Sequence, residues 1–358
     1  MRWYDSHQRA LPWRSGGRPS DRAPDPYAVW ISEIMLQQTR VETAIPYYER
    51  FMTRFPGVAS LAQAEEAEVL ALWSGLGYYR RCRGLLAAAR EIVAGSGRLP
   101  GSARELARLP GIGPYTAAAI ASIAFSEPVP VLDGNVERVV CRYTARSAGA
   151  RRKSDREALL EIAAGLLERR RPGDSNQAMM ELGATVCTPR APRCPDCPLA
   201  AGCQARALGA AESFPAAPRR AGPERVRQLL AFVEQEGRLL LFRRSAAAGQ
   251  LAGLWEFPAV ELGGPVRPED ELGERFGGLW TLGEEVVRLR HAITTRSFAI
   301  EVRRAAVRID GGTVAEGRGG GRGGIDAEPG WWSREKAAAL PLTGVARKLL
   351  ARPEIQPT

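Results

Sequence analysis

Hydrophobic positions recur with a helical period over the first part of this 358-residue chain. Segments such as DPYAVWISEIMLQQT, EEAEVLALWSGL and DREALLEIAAGLLERR place apolar residues three and four apart, and breaks rich in Gly and Pro separate them. In the first segment Asp25 precedes Pro26, a pairing typical of a helix start. We therefore predict a helical domain over residues 1–208.

The period changes in the last third of the chain. The stretch RQLLAFVEQEGRLLLFRRS predicts two strands around a turn at Glu236–Gly237, and EVVRLRHAITTRSFAIEVRRAAVR predicts two more. A helical pattern of apolar residues returns in WWSREKAAALPLTGVARKLLARP. The stretch GAAESFPAAPRRAGPER, before the first strand, has the composition of a linker. The pattern thus predicts a linker over residues 209–225 and a smaller α+β domain over residues 226–358.

Composition narrows the function classes. Hydrophobic residues make up 45% and charged residues 25%, which is the balance of a globular protein. The formal net charge of +10 suggests a polyanionic partner, although an arginine-rich composition alone is a weak indication. Histidine occurs only at His7 and His291, so histidine triads and sites with several histidine ligands are excluded. Any acid–base chemistry then falls to carboxylates.

The apolar runs of the sequence predict neither a membrane span nor a signal peptide. The longest apolar run, AAAIASIAF, is far below the ~18 residues of a membrane span, and the N-terminal stretch lacks the apolar core of a signal peptide. We therefore expect a soluble cytoplasmic protein with no membrane partner. Four of the six cysteines lie within residues 187–203, and in a reducing compartment such a cluster indicates metal rather than disulfides.

The clustered cysteines, Cys187, Cys194, Cys197 and Cys203, have the spacing C-x6-C-x2-C-x5-C. Four thiolates can hold either tetrahedral zinc or an iron–sulfur cluster. Zinc ribbons more often contain two CxxC pairs, and a thioredoxin-like redox pair is disfavoured because no βαβ pattern surrounds CPDC. Spacing alone leaves zinc and iron–sulfur open.

The string LPGIGPYTAA predicts a tight turn between two helices. A positive φ angle and a close backbone approach each exclude a Cβ, so the glycines of this turn predict both features at Gly111 and Gly113. The backbone N–H groups of Gly111, Ile112 and Gly113, with the positive end of the second helix, would then form an anion site. The alternative is an ordinary helix–helix connection with a glycine cap.

Two carboxylates are candidates for acid–base work. Glu33 lies among apolar residues in WISEIMLQQTR, so desolvation should raise its pKa towards a value useful for a general acid. Asp133, in VPVLDGNVERVV, precedes a predicted helix. The alternatives are that Glu33 belongs to a solvated polar face and that Asp133 only caps a helix.

Several motifs together resemble the adenine-specific DNA glycosylases of the MutY type. These motifs are SEIMLQQTRVET, GLGYYRR, LPGIGPYT, LDGNVERV and NQAMMELGATVCTPRAPRC, within a resemblance that runs from residue 3 to about residue 206. The MutY type belongs to the helix–hairpin–helix DNA glycosylase superfamily, which includes endonuclease III. The resemblance implies an all-α glycosylase domain in which the four cysteines hold a 4Fe-4S cluster, in a bacterial protein that associates with the nucleoid through DNA.

The same resemblance implies an activity and a partner. It predicts a monomeric enzyme of base excision repair that hydrolyses the N-glycosidic bond of adenine mispaired with 8-oxoguanine or guanine in double-stranded DNA, leaving an abasic site. Glu33 would protonate N7 of the adenine, Asp133 would stabilise the positive charge that develops on the sugar, Asn135 would help to position the site, and Tyr115 would support the cationic intermediate.

Further positions match DNA-contacting residues of the family. Gln38 and Tyr78 resemble wedge residues that fill the duplex beside an extruded base. The hairpin turn resembles a phosphate grip, and one group of side chains matches the lining of the adenine pocket: Trp13, Arg14 and Gln177. Ser175 departs from the family pattern, which commonly has an aromatic residue there, so we expect the packing near Gln177 to differ from that of the family.

Tyr115 separates the two reactions known in the superfamily. Bifunctional members similar to endonuclease III carry a lysine at this position, which attacks the sugar as an amine and leads to strand cleavage. Tyrosine forms no Schiff base, and the first lysine of the chain is Lys153. We therefore predict a monofunctional enzyme. The rivals are a pyrimidine-lesion glycosylase/lyase similar to endonuclease III and a non-catalytic lesion-binding protein, which would need neither Glu33 nor Asp133.

The C-terminal part resembles, more weakly, the Nudix-like domain of MutY proteins. The motifs GLWEFP and LPLTGVARKLL carry this resemblance, but the clustered glutamates of Nudix hydrolases are missing, so we expect no pyrophosphate hydrolysis. The resemblance implies recognition of 8-oxoguanine, partly through a Phe-Ser-His loop. Ile293-Thr294-Thr295 stands in its place, so these residues either read the lesion differently or only complete a strand.

Overall fold

The structure is a computed structural model that describes residues 1–14, 24–150, 152–216, 222–245, 251–308 and 328–355. The chain divides into two compact units. The first comprises Met1–Ala64 and Arg80–Arg219, and the second comprises Glu65–Tyr79 and Arg220–Thr358. Residues 217–221 of the proposed linker lie outside the described residues.

Helices occupy the chain up to Ala207, and strands begin at Glu224. The helices are α1 (Arg2–His7), α2 (Pro26–Leu36), α3 (Val41–Arg54), α4 (Val58–Ala62), α5 (Glu66–Trp73), α6 (Tyr79–Ala94), α7 (Ala103–Leu106), α8 (Pro114–Phe125), α9 (Gly134–Tyr143), α10 (Lys153–Gly165), α11 (Pro172–Thr185), α12 (Gln204–Ala207), α13 (Pro268–Phe276), α14 (Arg334–Ala339) and α15 (Gly344–Leu350). The strands are β1 (Glu224–Phe232), β2 (Glu234–Gln235), β3 (Arg238–Arg243), β4 (Trp255–Glu256), β5 (Ala259–Glu261), β6 (Leu279–Ile293), β7 (Arg296–Arg308) and β8 (Glu328–Ser333). The expected order, a helical part followed by a smaller α+β part, is confirmed.

Helix α2 lies in the middle of the first unit. Its start is the predicted one, because the Asp25 side chain accepts a hydrogen bond from the Tyr27 N–H and Pro26 is the first helical residue. Apolar residues surround the helix on most sides, as expected of a central helix that packs against α3 and α8. The position of α2 therefore buries Glu33 together with its apolar neighbours.

Glycines allow α11 to pack closely on two neighbouring helices. A Cβ on Gly173 would come within 2.6 Å of Ile123 Cα on α8, and a Cβ on Gly183 would come within 2.6 Å of Asn135 Cβ on α9. Side chains at both positions would force the helices apart. The stretch of α11 between these glycines is thereby held beside the ends of α8 and α9.

The predicted hairpin is formed by α7, a tight turn and α8. Gly111 has φ +74°, and its Cβ would lie 2.9 Å from Gly84 Cα on α6, so both the backbone conformation and the close approach require glycine. The expectation for Gly113 was wrong, because its φ is −82° and a Cβ there would meet nothing within 4 Å. Gly113 instead keeps open the space before the N-terminus of α8.

Among its described residues, the second unit contains two four-stranded sheets. One has the order β5-β1-β7-β6, in which β1 and β7 are parallel, and in the other β3 pairs with β2, β4 and β8. Side chains alternate along β1. Leu230 and Phe232 enter a core with residues of α14 and α15, whereas Leu229 and Ala231 enter a second core with residues of α13. Burial on both faces explains the nearly continuous apolar run of this strand.

The predicted turns of the second unit are present, with one difference in pairing. Glu236 and Gly237, with φ of 51° and 70°, join β2 to β3, and the β6–β7 hairpin turns at Thr294. Most of β1, however, pairs with β7 and β5 rather than with β3. None of the helices in the described ranges has the length and apolarity to cross a bilayer.

Candidate active site

A cleft of about 1180 Å³ opens in the first unit between α2, α8, α9, α11 and the N-terminal segment. The cleft brings together most of the residues that the sequence singled out. Those that line it are Trp13, Arg14, Glu33, Gln38, Gly111, Gly113, Tyr115, Asp133, Asn135 and Gln177. Ile112 does not line the cleft, and Tyr78 belongs to the second unit.

Glu33 is a buried carboxyl that lines this cleft. It is 7% exposed, and burial raises its pKa from 4.5 to about 7. The Tyr115 hydroxyl, which donates a hydrogen bond to Glu33 Oε2 at 2.9 Å, lowers the pKa, and the charge of Asp133 raises it. The expected desolvation of Glu33 is therefore present, and near neutral pH a large fraction of this side chain can carry a proton.

Tyr115 stands on the first turn of α8. Besides the hydrogen bond to Glu33, its hydroxyl lies 3.2 Å from Met180 Sδ. Burial, followed by the charges of Glu33 and Asp133, raises the pKa of Tyr115 well above 10. The phenol therefore remains protonated at neutral pH and serves as a donor to the Glu33 carboxyl.

Asp133 caps the N-terminus of α9. Its Oδ1 accepts hydrogen bonds from the N–H groups of Asn135 and Val136 at 3.0 and 2.7 Å, and its Oδ2 accepts one from Asn135 Nδ2 at 2.9 Å. Burial raises the pKa of Asp133, while these three hydrogen bonds lower it. Capping and placement in the cleft are both present, so the two interpretations of Asp133 do not exclude each other.

Asn135 connects Asp133 to a cation that also contacts the cysteine loop. Arg138 Nη2 donates to Asn135 Oδ1 at 2.9 Å, and Arg138 Nε donates to the backbone carbonyl of Cys187 at 2.7 Å. Arg138 Nη2 also donates to the carbonyl of Gly183 on α11. One side chain therefore joins the cap of α9 to α11 and to the start of the cysteine loop.

One wall of the cleft is built around Arg14. Trp13 packs edge-on against Tyr48 at a centroid distance of 5.2 Å, and Arg14 Nε donates to Gln177 Oε1 at 3.0 Å. Ser175 is buried, and its hydroxyl accepts a hydrogen bond from the Glu168 N–H at 3.0 Å. A small polar residue is thus accommodated at this position.

The turn of the hairpin presents backbone to the cleft. The Ile112 N–H donates to the carbonyl of Leu109 at 3.2 Å, so this group is used within the turn, contrary to expectation. The Ile112 side chain is buried and anchors the turn. The cleft-lining glycines, Gly111 and Gly113, and the N-terminus of α8 remain as the groups that can approach an anion.

The two wedge candidates share an unusual backbone conformation. Gln38 has φ 57° and Tyr78 has φ 50°, and a left-handed conformation costs a non-glycine residue about 1 kcal/mol or more. The end of α2 before Gln38 is held by Arg81, whose Nη1 donates to the carbonyls of Ile34 and Met35 at 2.8 and 3.1 Å. Tyr78 is 45% exposed. Such strain is characteristic of functional positions.

The four clustered cysteines are free thiols that line one small cavity. Arg142, 2% exposed, also lines it, and its Nη1 lies 3.4 Å from Cys187 Sγ. Over the described ranges, no three His, Cys, Asp or Glu side chains are arranged to hold a single metal ion. A set of four thiols beside a buried guanidinium suits a group of negative charge.

Sequence reasoning missed three residues that organise the cleft. Asn176 is buried and holds the segment before Asp133, because its side chain accepts from the Val131 N–H at 3.2 Å and donates to the Val129 carbonyl at 2.8 Å. Arg138 and Glu181 are the others. Each lies one helical turn from a residue that was singled out, Asn135 and Gln177, and this spacing was the available signal.

Comparisons with known proteins identify relatives of this chain. Residues 31–164 match the model of the HhH-GPD superfamily of base excision DNA repair proteins. The adenine DNA glycosylase of Arabidopsis thaliana is 42% identical over 73% of this chain and 46% of that protein. The adenine DNA glycosylase of Schizosaccharomyces pombe (strain 972 / ATCC 24843) is 34% identical over 75% of this chain and 70% of that protein.

A solved structure supports the fold of the helical unit. A thermostable thymine-DNA glycosylase aligns with a TM-score of 0.50 and 27% identity, over 57% of this chain and 91% of that chain. This chain spans about half the length of several curated relatives, such as the Arabidopsis protein. The Schizosaccharomyces pombe protein, in contrast, is matched over more than two thirds of its length. Identity of this extent, on a helical hairpin fold, makes the chain a member of the adenine DNA glycosylase family within the HhH-GPD superfamily.

Proposed function

We propose that the protein is a monofunctional adenine DNA glycosylase that acts on adenine mispaired with 8-oxoguanine or guanine and leaves an abasic site. The observation that carries this proposal is the pair of carboxyl groups in one cleft. Glu33 has a pKa of about 7, and Asp133 receives three hydrogen bonds at the N-terminus of α9. Two carboxyl groups in different environments suit an acid and a charge stabiliser.

The proposed reaction resembles glycoside hydrolysis. The target adenine leaves the base stack and enters the cleft, and protonated Glu33 transfers its proton to N7. The bond between C1′ of the sugar and N9 then breaks, and its electron pair leaves with the base. Asp133 stabilises the positive charge left on the sugar until water adds at C1′ and loses a proton.

Tyr115 suits this reaction rather than strand cleavage. Its hydroxyl donates to Glu33 and remains protonated, so it is neither an amine nor an activated nucleophile. None of the residues described as lining the cleft is a lysine. Cleavage through a Schiff base would require such an amine.

This arrangement predicts the outcome of a trapping experiment. Borohydride reduces a Schiff base to a stable protein–DNA adduct, so incubation with substrate duplex and borohydride should yield no stoichiometric adduct, while adenine release proceeds. A lysine introduced into the cleft as Asp133→Lys cannot serve as the positive control for trapping, because this variant lacks the stabilising carboxylate. A bifunctional glycosylase under the same conditions serves as the positive control. A stoichiometric adduct would show that the protein is a lyase.

The activity itself is tested by single-turnover release of adenine. Duplexes that pair adenine with 8-oxoguanine, guanine or thymine are incubated with excess folded protein, and the abasic product is revealed by alkaline cleavage. We expect release opposite 8-oxoguanine and guanine and little release opposite thymine. Binding to all duplexes without release from any would support the rival, a non-catalytic lesion-binding protein, and refute the proposal.

The hairpin turn and the wedge candidates supply the proposed DNA contacts. Gly111 and Gly113 approach a phosphate beside the N-terminus of α8, a contact that positions the duplex without reading its sequence. Gln38 is proposed to fill the space that the extruded base leaves in the duplex, and Tyr78, of the second unit, is proposed as a further wedge residue. Trp13, with its indole against Tyr48, forms an apolar wall for the base.

The cysteine loop is proposed to hold a 4Fe-4S cluster through Cys187, Cys194, Cys197 and Cys203. These thiols share one cavity with the buried guanidinium of Arg142, which offsets the negative charge of a thiolate-bound cluster. When bound, such a cluster would cross-link the loop and supply no hydrolytic chemistry. Arg138, which donates to the Cys187 carbonyl and to Asn135, ties the ordered loop to α9.

The second unit is proposed to recognise 8-oxoguanine opposite the adenine. Thr294, at the turn between β6 and β7, has φ 52°, and Ile293 ends β6, so this stretch forms a turn as well as completing a strand. The Thr294 hydroxyl donates to its neighbouring carbonyl at 2.8 Å. A reading of the lesion through this turn would rest on hydroxyl and backbone groups rather than on a histidine.

A further inference from the structure

A buried carboxylate in the cleft has no part in the proposed chemistry. Glu181 of α11 is 1% exposed, and both of its oxygens are hydrogen-bonded. Oε1 accepts from Arg9 Nε at 2.6 Å, and Oε2 accepts from Arg14 Nη2 at 3.1 Å. Burial raises the pKa of Glu181, but the two guanidinium groups lower it by more, so the group is ionised at neutral pH. A buried charge held by two arginines makes a rigid anchor.

Arg14 connects this anchor to Gln177. While Nη2 binds Glu181, Nη1 donates to the carbonyl of Arg9 at 3.2 Å and Nε donates to Gln177 Oε1 at 3.0 Å. The N–H groups of a guanidinium lie in one plane, so three separate acceptors together fix its orientation. Gln177 and Glu181 lie one turn apart on α11, so a single arginine reaches both.

The chemistry of arginine determines which way the Gln177 carboxamide faces. A guanidinium carries only donors, so the atom of Gln177 opposite Arg14 Nε has to be the oxygen. The amide nitrogen therefore points away from Arg14. Across the described ranges it donates to no protein acceptor, and Gln177 lines the cleft. Its two N–H groups are available to a ligand.

We propose that Glu181 is a positioning residue for base recognition. It holds Arg14 so that Gln177 presents its amide NH₂ group, and not its carbonyl oxygen, to the extruded adenine. The inference rests on the proposed glycosylase function and adds a residue to it. In that mechanism N7 receives the proton of Glu33, so N1 and N3 are the ring nitrogens that can accept a hydrogen bond from the Gln177 amide NH₂ group. Ionised Glu181 thereby selects a base with an acceptor at that edge.

The test uses Glu181→Gln in the full-length protein. Single-turnover release is measured for adenine, 1-deazaadenine and 3-deazaadenine opposite 8-oxoguanine. The wild-type protein should release one of the two analogues about tenfold more slowly than the other. The slower analogue is the one that lacks the ring nitrogen accepting from Gln177, because it loses one hydrogen bond. The Glu181→Gln variant should release adenine about tenfold more slowly than the wild type. It should also release the two analogues at equal rates. Retention of both the wild-type rate and the wild-type separation overturns the proposal.

A double variant separates positioning from a purely structural role. If Glu181 acts through Gln177, adding Glu181→Gln to Gln177→Ala should slow adenine release no further. Additive losses would contradict the proposal. Asp5→Asn is the matched control, because it removes an ion pair of 2.7 Å between Asp5 of α1 and Arg171, the residue that precedes α11, without touching Gln177. Its rate and analogue separation should equal those of the wild type.

Arg14→Lys gives a second route to the same result should Glu181→Gln not fold. Lysine keeps a cation for Glu181 but has no Nε donor for Gln177, so the analogue separation should again disappear. A lysine variant with full separation overturns the proposal. Failure of the wild-type protein to release adenine from any duplex refutes the proposed function itself, and this inference with it. Adenine release by the wild-type protein, together with an undiminished analogue separation in both variants, refutes only the inference.

Discussion

Glu33→Gln is expected to slow adenine release by about 10²–10⁴-fold in single-turnover assays, the range for loss of a general acid. Glutamine keeps the size of the side chain and can still accept the hydrogen bond that Tyr115 donates at 2.9 Å, but it has no proton to transfer to N7. The wild-type rate should also fall as the pH rises above about 7, because the pKa of Glu33 is about 7 and the acid works only when protonated. This limb of the pH profile should be missing in Glu33→Gln.

Stability distinguishes lost chemistry from misfolding in this variant. Burial raises the pKa of Glu33 from 4.5 to about 7, so the unfolded chain releases the proton first as the pH rises. The free energy of unfolding should therefore decline between these pH values and be lowest above about 7, by up to about 3 kcal/mol. Glu33→Gln escapes this loss, so its Tm should exceed that of the wild type at pH 8. Full activity in this variant would refute the proposed mechanism and leave the family assignment intact.

Asp133→Asn is expected to slow adenine release by about 10²–10³-fold, the range for loss of one preorganised electrostatic group. Asparagine caps helices about as well as aspartate, so Oδ1 can keep the bonds to the Asn135 and Val136 N–H groups and α9 should remain intact. What is lost is the negative charge beside the sugar. The new amide would also face Asn135 Nδ2, which donates to Oδ2 in the wild type.

The pH profile provides an independent readout for Asp133→Asn. The charge of Asp133 raises the pKa of Glu33, so its removal lowers that pKa and the rate should begin to fall at a lower pH than in the wild type. Glu137→Gln is the matched control, since Glu137 lies on the same helix and its carboxylate accepts from the Ala150 N–H at 3.0 Å outside the cleft. A rate of Asp133→Asn within about threefold of this control would contradict the role of the carboxylate.

Local features of the site could be predicted from the sequence because they depend on neighbours along the chain. The Asp25–Pro26 start of α2, the turn at Gly111 and the cap by Asp133 each follow from residues within one or two turns. The raised pKa of Glu33 followed from its apolar flanks, since α2 is apolar on most sides and has to be buried.

Other features could not be predicted, because they depend on residues distant in sequence. Arg14 meets Gln177 across 163 positions and Glu181 across 167. The pattern of apolar residues around Arg14, or around Gln177 and Glu181, does not indicate that these side chains meet. The grouping of Glu65–Tyr79 with the second unit is of the same kind, since the Ser74 hydroxyl donates to the Leu342 carbonyl 268 positions away. The error at Gly113 has a similar cause, because whether a Cβ has room depends on tertiary neighbours.

The sequence by itself determined the elements of this protein and the kinds of groups that it brings to function. These are two carboxyls and a tyrosine, where a lysine would imply cleavage, in the cleft, and four thiols in a separate small cavity. Periodicity, capping and residue chemistry are local properties, so a single chain carries them in full. The tertiary structure alone decided how the groups act on one another. The effects of Tyr115 and Asp133 on the pKa of Glu33, the direction of the Gln177 amide and the proposed role of Glu181 all depend on contacts that only the packing of the N-terminal segment, α2, α8, α9 and α11 brings together.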